Sequence, residues 1–502
     1  MRKYMFFLIS VMVVASIVLA ACAPAATPTK APAEEPAAEE PVAEEPVAEE
    51  PAAEEPAAEE PAEEEVAEEP MEKTVLDMWS FTNELMTMAV AFECLNPDVD
   101  IQFSMIPMTD GEYQTKLLAS LGTADAPDII ALEAAFVKEY VESDFLADVT
   151  DLLPLSEAAN TYPSVVEVGT DQGVVKGYSF QATPGGLFYR RSLAKEYFGT
   201  DDPAEIQALL SDLDKFVEAA ALIKDKSGGD TYMVGTSGAL YNPFLANREQ
   251  PWVVDDTLTV DPMVEEYIDF AKLFRDEDYE SQADQWSEGW FAGMNDTLAD
   301  AEGTPKQIFS YFLPTWGLPY VLAPNAVSAD GSSDTSGDWA LIPGPLPYQW
   351  GGTWIGAMKE SDNLELAKKF IEFATLDQEH LTNWATGVYT NEYLAACDPE
   401  VPEDQQQAPG DFVSSQVVVE KIISQFDDSE LSAFLGGQNS YAGFAEAAPN
   451  VSARLMQGSD DAIQRALEDA RDQYLAGEIT LEEMWELWKA SVRNEFPDLI
   501  IP

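Results

Sequence analysis

A regular apolar pattern begins at Thr74 and runs to the end of the 502-residue chain. Thr74-Val75-Leu76-Asp77-Met78-Trp79 reads as a short strand, and a helical spacing follows from about Glu84 to Leu95. Pro97 stops that helix, and Val99-Asp100-Ile101-Gln102-Phe103 alternates as a second strand. The pattern then predicts a helix from Tyr113 to Leu121. Ala126-Pro127-Asp128 opens Ile129-Ile130-Ala131-Leu132, an apolar run short enough for a strand buried on both faces. A further helix is expected near 134–141. Strand and helix alternating in this way predict a mostly parallel sheet covered by helices on both faces. Ligands of such sheets sit beyond the carboxyl ends of the strands. That rule aims Trp79, Ser80, Phe81 and Glu133 at a cleft.

The same grammar recurs downstream. Helices are expected at 212–226, 261–274, 364–373, 460–475 and 481–494, and strands at 232–236, 307–312 and 339–342. Asp261 followed by Pro262 is a helix-start signal. The chain is therefore expected to be α/β, and the roughly 430 residues from Lys73 onward are enough for two large lobes.

Ahead of Lys73 the pattern is different. Arg2 and Lys3 precede an apolar run from Met5 to Val18, too short for a comfortable membrane span, and the run closes on Leu19-Ala20-Ala21-Cys22. This resembles the lipobox of bacterial lipoproteins, which implies cleavage before a lipidated Cys22 and a place on the outer face of the cell membrane. Residues 23–72 form a spacer, and from Pro28 to Pro70 it repeats variants of Ala-Glu-Glu-Pro, without aromatics or any apolar side chain larger than valine. Such a stretch cannot bury enough surface to offset its ordering entropy, and proline with mutually repelling glutamates favours an extended stalk.

Charge narrows the partners. Residues 1–72 hold 18 of the 92 acidic and 3 of the 26 basic groups, so the body keeps a net charge of −51. That field repels nucleic acid and anionic lipid. With Cys22 assigned to lipid, Cys94 and Cys397 could pair in an oxidising compartment, but nothing in their spacing brings them together.

Catalytic and metal motifs are scarce. The single histidine, His380, would have to serve any Ser-His-Asp or Cys-His arrangement; no G-x-S-x-G or P-loop accompanies it, and it reads as a surface residue. One histidine does not make an ordinary zinc site. Asp330, Asp334 and Asp338 lie in a Gly/Ser-rich stretch that reads as solvated loop. No cofactor and no metal are expected. Glu133 at a strand end and Glu288 between two tryptophans are the carboxylates a glycosidase would use. They are equally what a sugar-binding cleft needs, since sugars offer hydroxyls to carboxylates and C–H faces to aromatic rings. The informative set is aromatic: Trp79, Trp252, Trp286, Trp290, Trp316, Trp350 and Trp354 stand in loop-like contexts, whereas Trp384, Trp485 and Trp488 stand in helices.

Several motifs occur in a telling order. They are Leu95-Asn96-Pro97-Asp98-Val99, then Asp125-Ala126-Pro127-Asp128-Ile129, then Gln181-Ala182-Thr183-Pro184 leading to Leu187-Phe188-Tyr189-Arg190-Arg191. Gly289-Trp290-Phe291-Ala292-Gly293-Met294 follows, and then Gly351-Gly352-Thr353-Trp354 with Leu366–Ile371. In this order they resemble the extracellular solute-binding proteins of ABC importers, in the large carbohydrate-binding family that includes maltose-binding protein. The resemblance implies a two-lobed, hinged periplasmic-binding-protein fold, each lobe a mostly parallel sheet flanked by helices. Lobe one would take 74–182 and 343–383, and lobe two 183–342 and 384–502. It also implies a cleft lined by Trp79, Phe81, Glu133, Gln181, Trp252, Trp286, Glu288, Trp290, Trp316, Trp350 and Trp354. By family position, Tyr441 of the Gly436–Tyr441 loop would reach it as well. The implied partners are a carbohydrate ligand and the permease subunits of an ABC importer, for a monomer that is not an enzyme. A surface glycoside hydrolase and a non-transport polysaccharide-binding module are the rival readings.

Overall fold

The computed structural model describes residues 73–397 and 410–502. The lipobox, Cys22 and the 23–72 stalk lie outside the described residues. Strand β1 (Thr74–Ser80), helix α1 (Glu84–Leu95), β2 (Val99–Met105), α2 (Glu112–Ser120) and β3 (Ile129–Glu133) follow one another close to where the apolar pattern places them. The helix expected near 134–141 forms only over Val137–Val141. β2, β1 and β3 are parallel neighbours, with Ser80 opposite Met105 and Met78 opposite Ile129. All of Ile129–Leu132 is buried, as a central parallel strand requires.

Strand β4 (Tyr178–Ser179) leads out of this sheet, and β5 (Gly185–Arg190) enters a second one. In this second lobe α3 (Leu213–Ser227) starts on Asp212, whose carboxylate accepts from Lys215 N at 3.0 Å. Helix α4 (Pro262–Asp276) starts on Asp261 in the same way, and α5 (Glu288–Met294) on Ser287. Strands β6 (Ser310–Pro314) and β7 (Trp339–Ile342) flank β5, and β8 (Thr353–Ala357) returns to the first sheet. The order there is β2-β1-β3-β8-β4.

Two expectations about strands change. The second lobe's three-stranded sheet, β6-β5-β7, is antiparallel rather than mostly parallel. The reason is connectivity: the chain enters this lobe along β5 and leaves along β7, so neighbouring strands must run oppositely. For the same reason β8 is antiparallel to both β3 and β4 in the first lobe. The strand expected at 232–236 forms only over Thr231–Tyr232, next to Gln307–Ile308, and beyond it Val234 makes a single bridge to Glu280.

The remaining chain is helical: α6 (Leu364–Leu376), α7 (Asn391–Cys397), α8 (Gln416–Ile422), α9 (Ser440–Ala447), α10 (Asp460–Leu475) and α11 (Leu481–Glu495). α7 packs on α1, and α8 packs on the helix Leu153–Ala159, so both sit on first-lobe elements. α9 packs on β5 and β7, and α10 and α11 pack on each other and near α4. Between the lobes three segments lie side by side. Ala182 N donates to Phe412 O at 2.9 Å, and Trp350 N to Thr183 O at 3.2 Å. The third segment, near 411–415, lies further along the chain than the 383/384 boundary expected for it, because the helices between them pack on the first lobe.

Cys94 and Cys397 form a disulfide, Cα atoms 5.4 Å apart across 303 positions, joining the ends of α1 and α7. His380 is not a surface residue. It is 2% exposed, packed on Phe373 at 4.1 Å between ring centroids, with Nδ1 2.8 Å from Tyr389 Oη. Burial disfavours its charged form and lowers its pKa to about 3. No helix among the described residues is long and apolar enough to cross a membrane.

Candidate functional site

The carboxyl ends of β1 and β3 and the amino end of β8 meet at one edge of the first sheet, where Thr353 lies opposite Glu133. Two chambers open there. One, of about 530 Å³, is lined by Phe81, Glu84, Gln181, Trp316 and Tyr320, with Met105 and Met108 at its edge. The other, of about 350 Å³, is lined by Trp350, Tyr241, Arg248, Gln349 and the start of α10. Glu133 and Gly351 belong to both walls. The cleft is thus one groove pinched in the middle.

One side of it is aromatic. Trp286 is half exposed and lies parallel to Trp316, with ring centroids 6.3 Å apart and 7° between planes. Trp350 stands edge-on to both, at 6.0 and 5.2 Å. Trp290, 2% exposed, supports Trp286 from beneath at 5.3 Å. Local sequence explains the placement. Trp286 takes a left-handed backbone, φ 69°, one residue before the Ser287 cap of α5. Trp316 follows the end of β6 and precedes a wide π-helical turn at Leu318–Leu322. Its indole Nε1 donates to Trp350 O at 3.0 Å. Gly351 makes that approach possible: φ is +73°, and a Cβ there would stand 2.7 Å from the Trp316 nitrogen.

The carboxyl groups here are strained by burial. Glu133 accepts from Ala135 N at 2.7 Å, yet desolvation pushes its pKa to about 7. Burial, helped by Asp411, pushes Glu84 to about 8. Burial also raises Asp460, to about 6, against the pull of Arg248, and it raises Asp461 and Glu468. An acid whose folded pKa lies above its unfolded value holds its proton in the folded state while the unfolded chain has released it. The resulting stability is present below about pH 4.5 and is lost as pH rises toward 7 and 8. Glu133→Gln should therefore gain on the parent by about 2 kcal/mol between pH 5 and pH 8. Urea unfolding at the two pH values checks this; parallel pH profiles for parent and variant would defeat it.

Not every expected site residue arrives. Phe81, Glu133, Gln181, Trp316 and Trp350 line the chambers; Trp286 lines neither and reaches them only through its ring contacts with Trp316 and Trp350, and Trp290 is buried against Trp286. Trp79 is partly buried beneath Lys116, whose Nζ sits 4.5 Å from the ring centroid, and it lines neither chamber. Glu288 is exposed on the first turn of α5 and also lines neither. Three residues move to the interior as corrections. Trp252 is fully buried, 5.6 Å from Trp488. Trp354 is 2% exposed in the interior strand β8, its Nε1 donating to Val165 O at 3.0 Å. Tyr441 stacks on Phe426 at 4.2 Å and donates to Asp411 O at 2.7 Å. The loop before it is structural too: the Gln438 amide pairs with both Leu341 N and Leu341 O, closing the edge of β7. Asp338, expected as solvated loop, ion-pairs with Arg190 at 2.9 Å.

Sequence reasoning missed Tyr241, Arg248, Gln349 and the α10 carboxylates. Arg248 was the one with a signal, as one of the few cations in a strongly acidic body. A stretch before α10 also crosses the cleft: Glu167 Oε2 accepts from Ala453 N at 2.6 Å, and the Gln457 amide pairs with Val253 N and O at 2.9 Å each. Among the described residues no group of three or more His, Cys, Asp or Glu side chains is placed to hold a metal ion.

An open groove between two α/β lobes, walled by indoles and buried carboxyls, is the architecture of a small-molecule receptor. The chain belongs to the bacterial extracellular solute-binding protein family, whose model matches residues 79–380. Its fold is shared by a crystal structure described as an extracellular solute-binding protein of family 1: TM-score 0.65, 16% identity, covering 84% of this chain and 99% of that one. The sugar-binding protein MalE of Xanthomonas citri matches with TM-score 0.61 and 16% identity, over 84% of this chain and 97% of that one. A binding protein from B. animalis subsp. lactis, in complex with β-1,6-galactobiose, matches with TM-score 0.58 and 20% identity, over 86% and 99%. A search of curated proteins found no match.

Proposed function

We propose that this chain is an extracytoplasmic receptor for a neutral mono- or oligosaccharide, held to the cell membrane by lipid on Cys22. It passes its ligand to the permease subunits of an ABC importer and works as a monomer that binds without chemistry. The observation that carries the reading is the pair of indoles, Trp316 and Trp350, on the walls of a carboxyl- and amide-lined groove, with Trp286 packed against both. Indole faces suit the C–H faces of pyranose rings, and Glu133 and Gln181 suit their hydroxyls. That proteins of this fold are named for sugars or were crystallised with them supports the same class of ligand. Lobe one would comprise 74–182 and 343–383 with the helices α7 and α8, and lobe two the rest of the body. The lobes would close about the three segments 180–184, 343–352 and 411–415.

The test is a thermal-shift and tryptophan-fluorescence screen of residues 73–502 against a panel of neutral mono- and disaccharides that includes β-1,6-galactobiose. A sugar held at 100 times its Kd should stabilise the protein by about 2.7 kcal/mol, perturb the indole emission and remain chemically intact. Silence across the panel sinks the reading. Hydrolysis of the bound sugar that disappears in Glu133→Gln would instead establish the glycosidase reading, which Glu133's place in the groove with a raised pKa favours.

A further inference from the structure

Arg248 and Asp460, 212 residues apart, meet on the wall of the smaller chamber. Arg248 Nη2 lies 3.3 Å from Asp460 Oδ2, and the two side chains are only 4% and 9% exposed. Arg248 Nε donates to Leu245 O at 2.9 Å, and the guanidinium rests on the Trp252 ring at 4.7 Å. The pair is therefore fixed in position. One atom of each group is left over. Arg248 Nη1 and Asp460 Oδ1 are buried and have no hydrogen-bond partner among the described residues.

Buried polar atoms in folded proteins are almost always paired, so each exception asks for an explanation. Eight such side-chain atoms occur among the described residues, and only these two belong to residues that line either chamber. The leftover atoms are one donor and one acceptor on a single ion pair. An anion would satisfy Nη1 but would face Asp460, Asp461 and Glu468 on the same wall. An ammonium group would satisfy Oδ1, leave Nη1 unpaired and face Arg465. Two adjacent hydroxyls meet both needs with no net charge: one oxygen accepts from Nη1, and the other O–H donates to Oδ1.

We infer that Arg248 and Asp460 form a diol-reading subsite that sets which pair of neighbouring ring hydroxyls, and so which sugar epimer, the cleft accepts. This rests on the carbohydrate reading above and sharpens it. A neighbouring pair held trans-diaxial points its oxygens apart and cannot reach both atoms. An epimer that inverts one member of the pair turns that hydroxyl in a different direction, and it is disfavoured wherever that turn leaves one of the site's buried groups unpaired.

The test uses the tightest-binding sugar of the panel and its monodeoxy analogues, titrated calorimetrically into the unaltered protein. Removal of either of two adjacent hydroxyls should weaken binding at least tenfold. The same two analogues should lose no more than twofold relative to the parent sugar in Arg248→Met/Asp460→Leu. That double variant replaces the buried pair by apolar side chains and leaves no lone buried charge. Arg248→Lys, which keeps the ion pair, should abolish the dependence on one hydroxyl only. Circular dichroism confirms that the variants fold, and the deoxy series on the unaltered protein decides the matter without them. A deoxy series with no sensitive adjacent pair, or losses that persist in the double variant, overturns the subsite alone. Failure of every sugar to bind overturns the carbohydrate reading and the subsite together.

Discussion

Trp354→Ala should lower the unfolding free energy by about 3–5 kcal/mol, the range for removing a buried large aromatic side chain. Trp354 is 2% exposed, and it sits in β8, which pairs with β3 on one side and β4 on the other. Its loss empties the space between those strands and Val168, Leu132 and Leu146, its companions in one apolar cluster. It also removes the donor to Val165 O. Denaturant unfolding reads the effect. Sugar affinity of the folded fraction should change little, because the indole lies behind the groove. A variant that keeps its stability and loses its ligand would return Trp354 to the site.

Trp316→Ala should do the reverse. Binding of the panel sugar should weaken by about 2–4 kcal/mol, the scale of a central aromatic contact, while stability falls less. Two effects combine in this residue. The indole presents a face into the larger chamber, parallel to Trp286. Its Nε1 holds Trp350 O and, with it, the Gly351 turn that divides the two chambers. Trp316→Phe separates them: it keeps a face and loses the hydrogen bond, so it should fall between the parent and the alanine variant. Calorimetric titration of the three proteins is the measurement. Equal affinities would remove Trp316 from the site.

The contrast between these two tryptophans marks what could be read in advance. Gly351-Gly352-Thr353-Trp354 and Pro314-Thr315-Trp316-Gly317 look alike as strings: an indole beside glycine and threonine, outside any helical spacing. One ring is enclosed by a strand on each side, and the other faces a groove. The difference lies in which distant segment comes to lie against it. Val165 covers Trp354, and the Trp350 carbonyl anchors Trp316. His380 misled for the same reason: its own helix is polar, and it is Phe373 and Tyr389, brought in from outside that helix, that bury it.

Local order was legible because local physics sets it. Apolar period and proline stops put α1, β7 and α10 at the residues where they form, and aspartate caps start α3 and α4. The sequence by itself also determined the acidic body, the alternation that makes the fold α/β, and Glu133 at the end of a buried strand. Tertiary structure alone decided the antiparallel run of β5, β6 and β7, since direction follows from where the chain enters and leaves a lobe. It alone brought Cys94 to Cys397 and Arg248 to Asp460, 303 and 212 positions apart. Such pairs leave no periodic trace, because a side chain's partner across a fold is chosen by how whole elements pack and not by its neighbours in the chain.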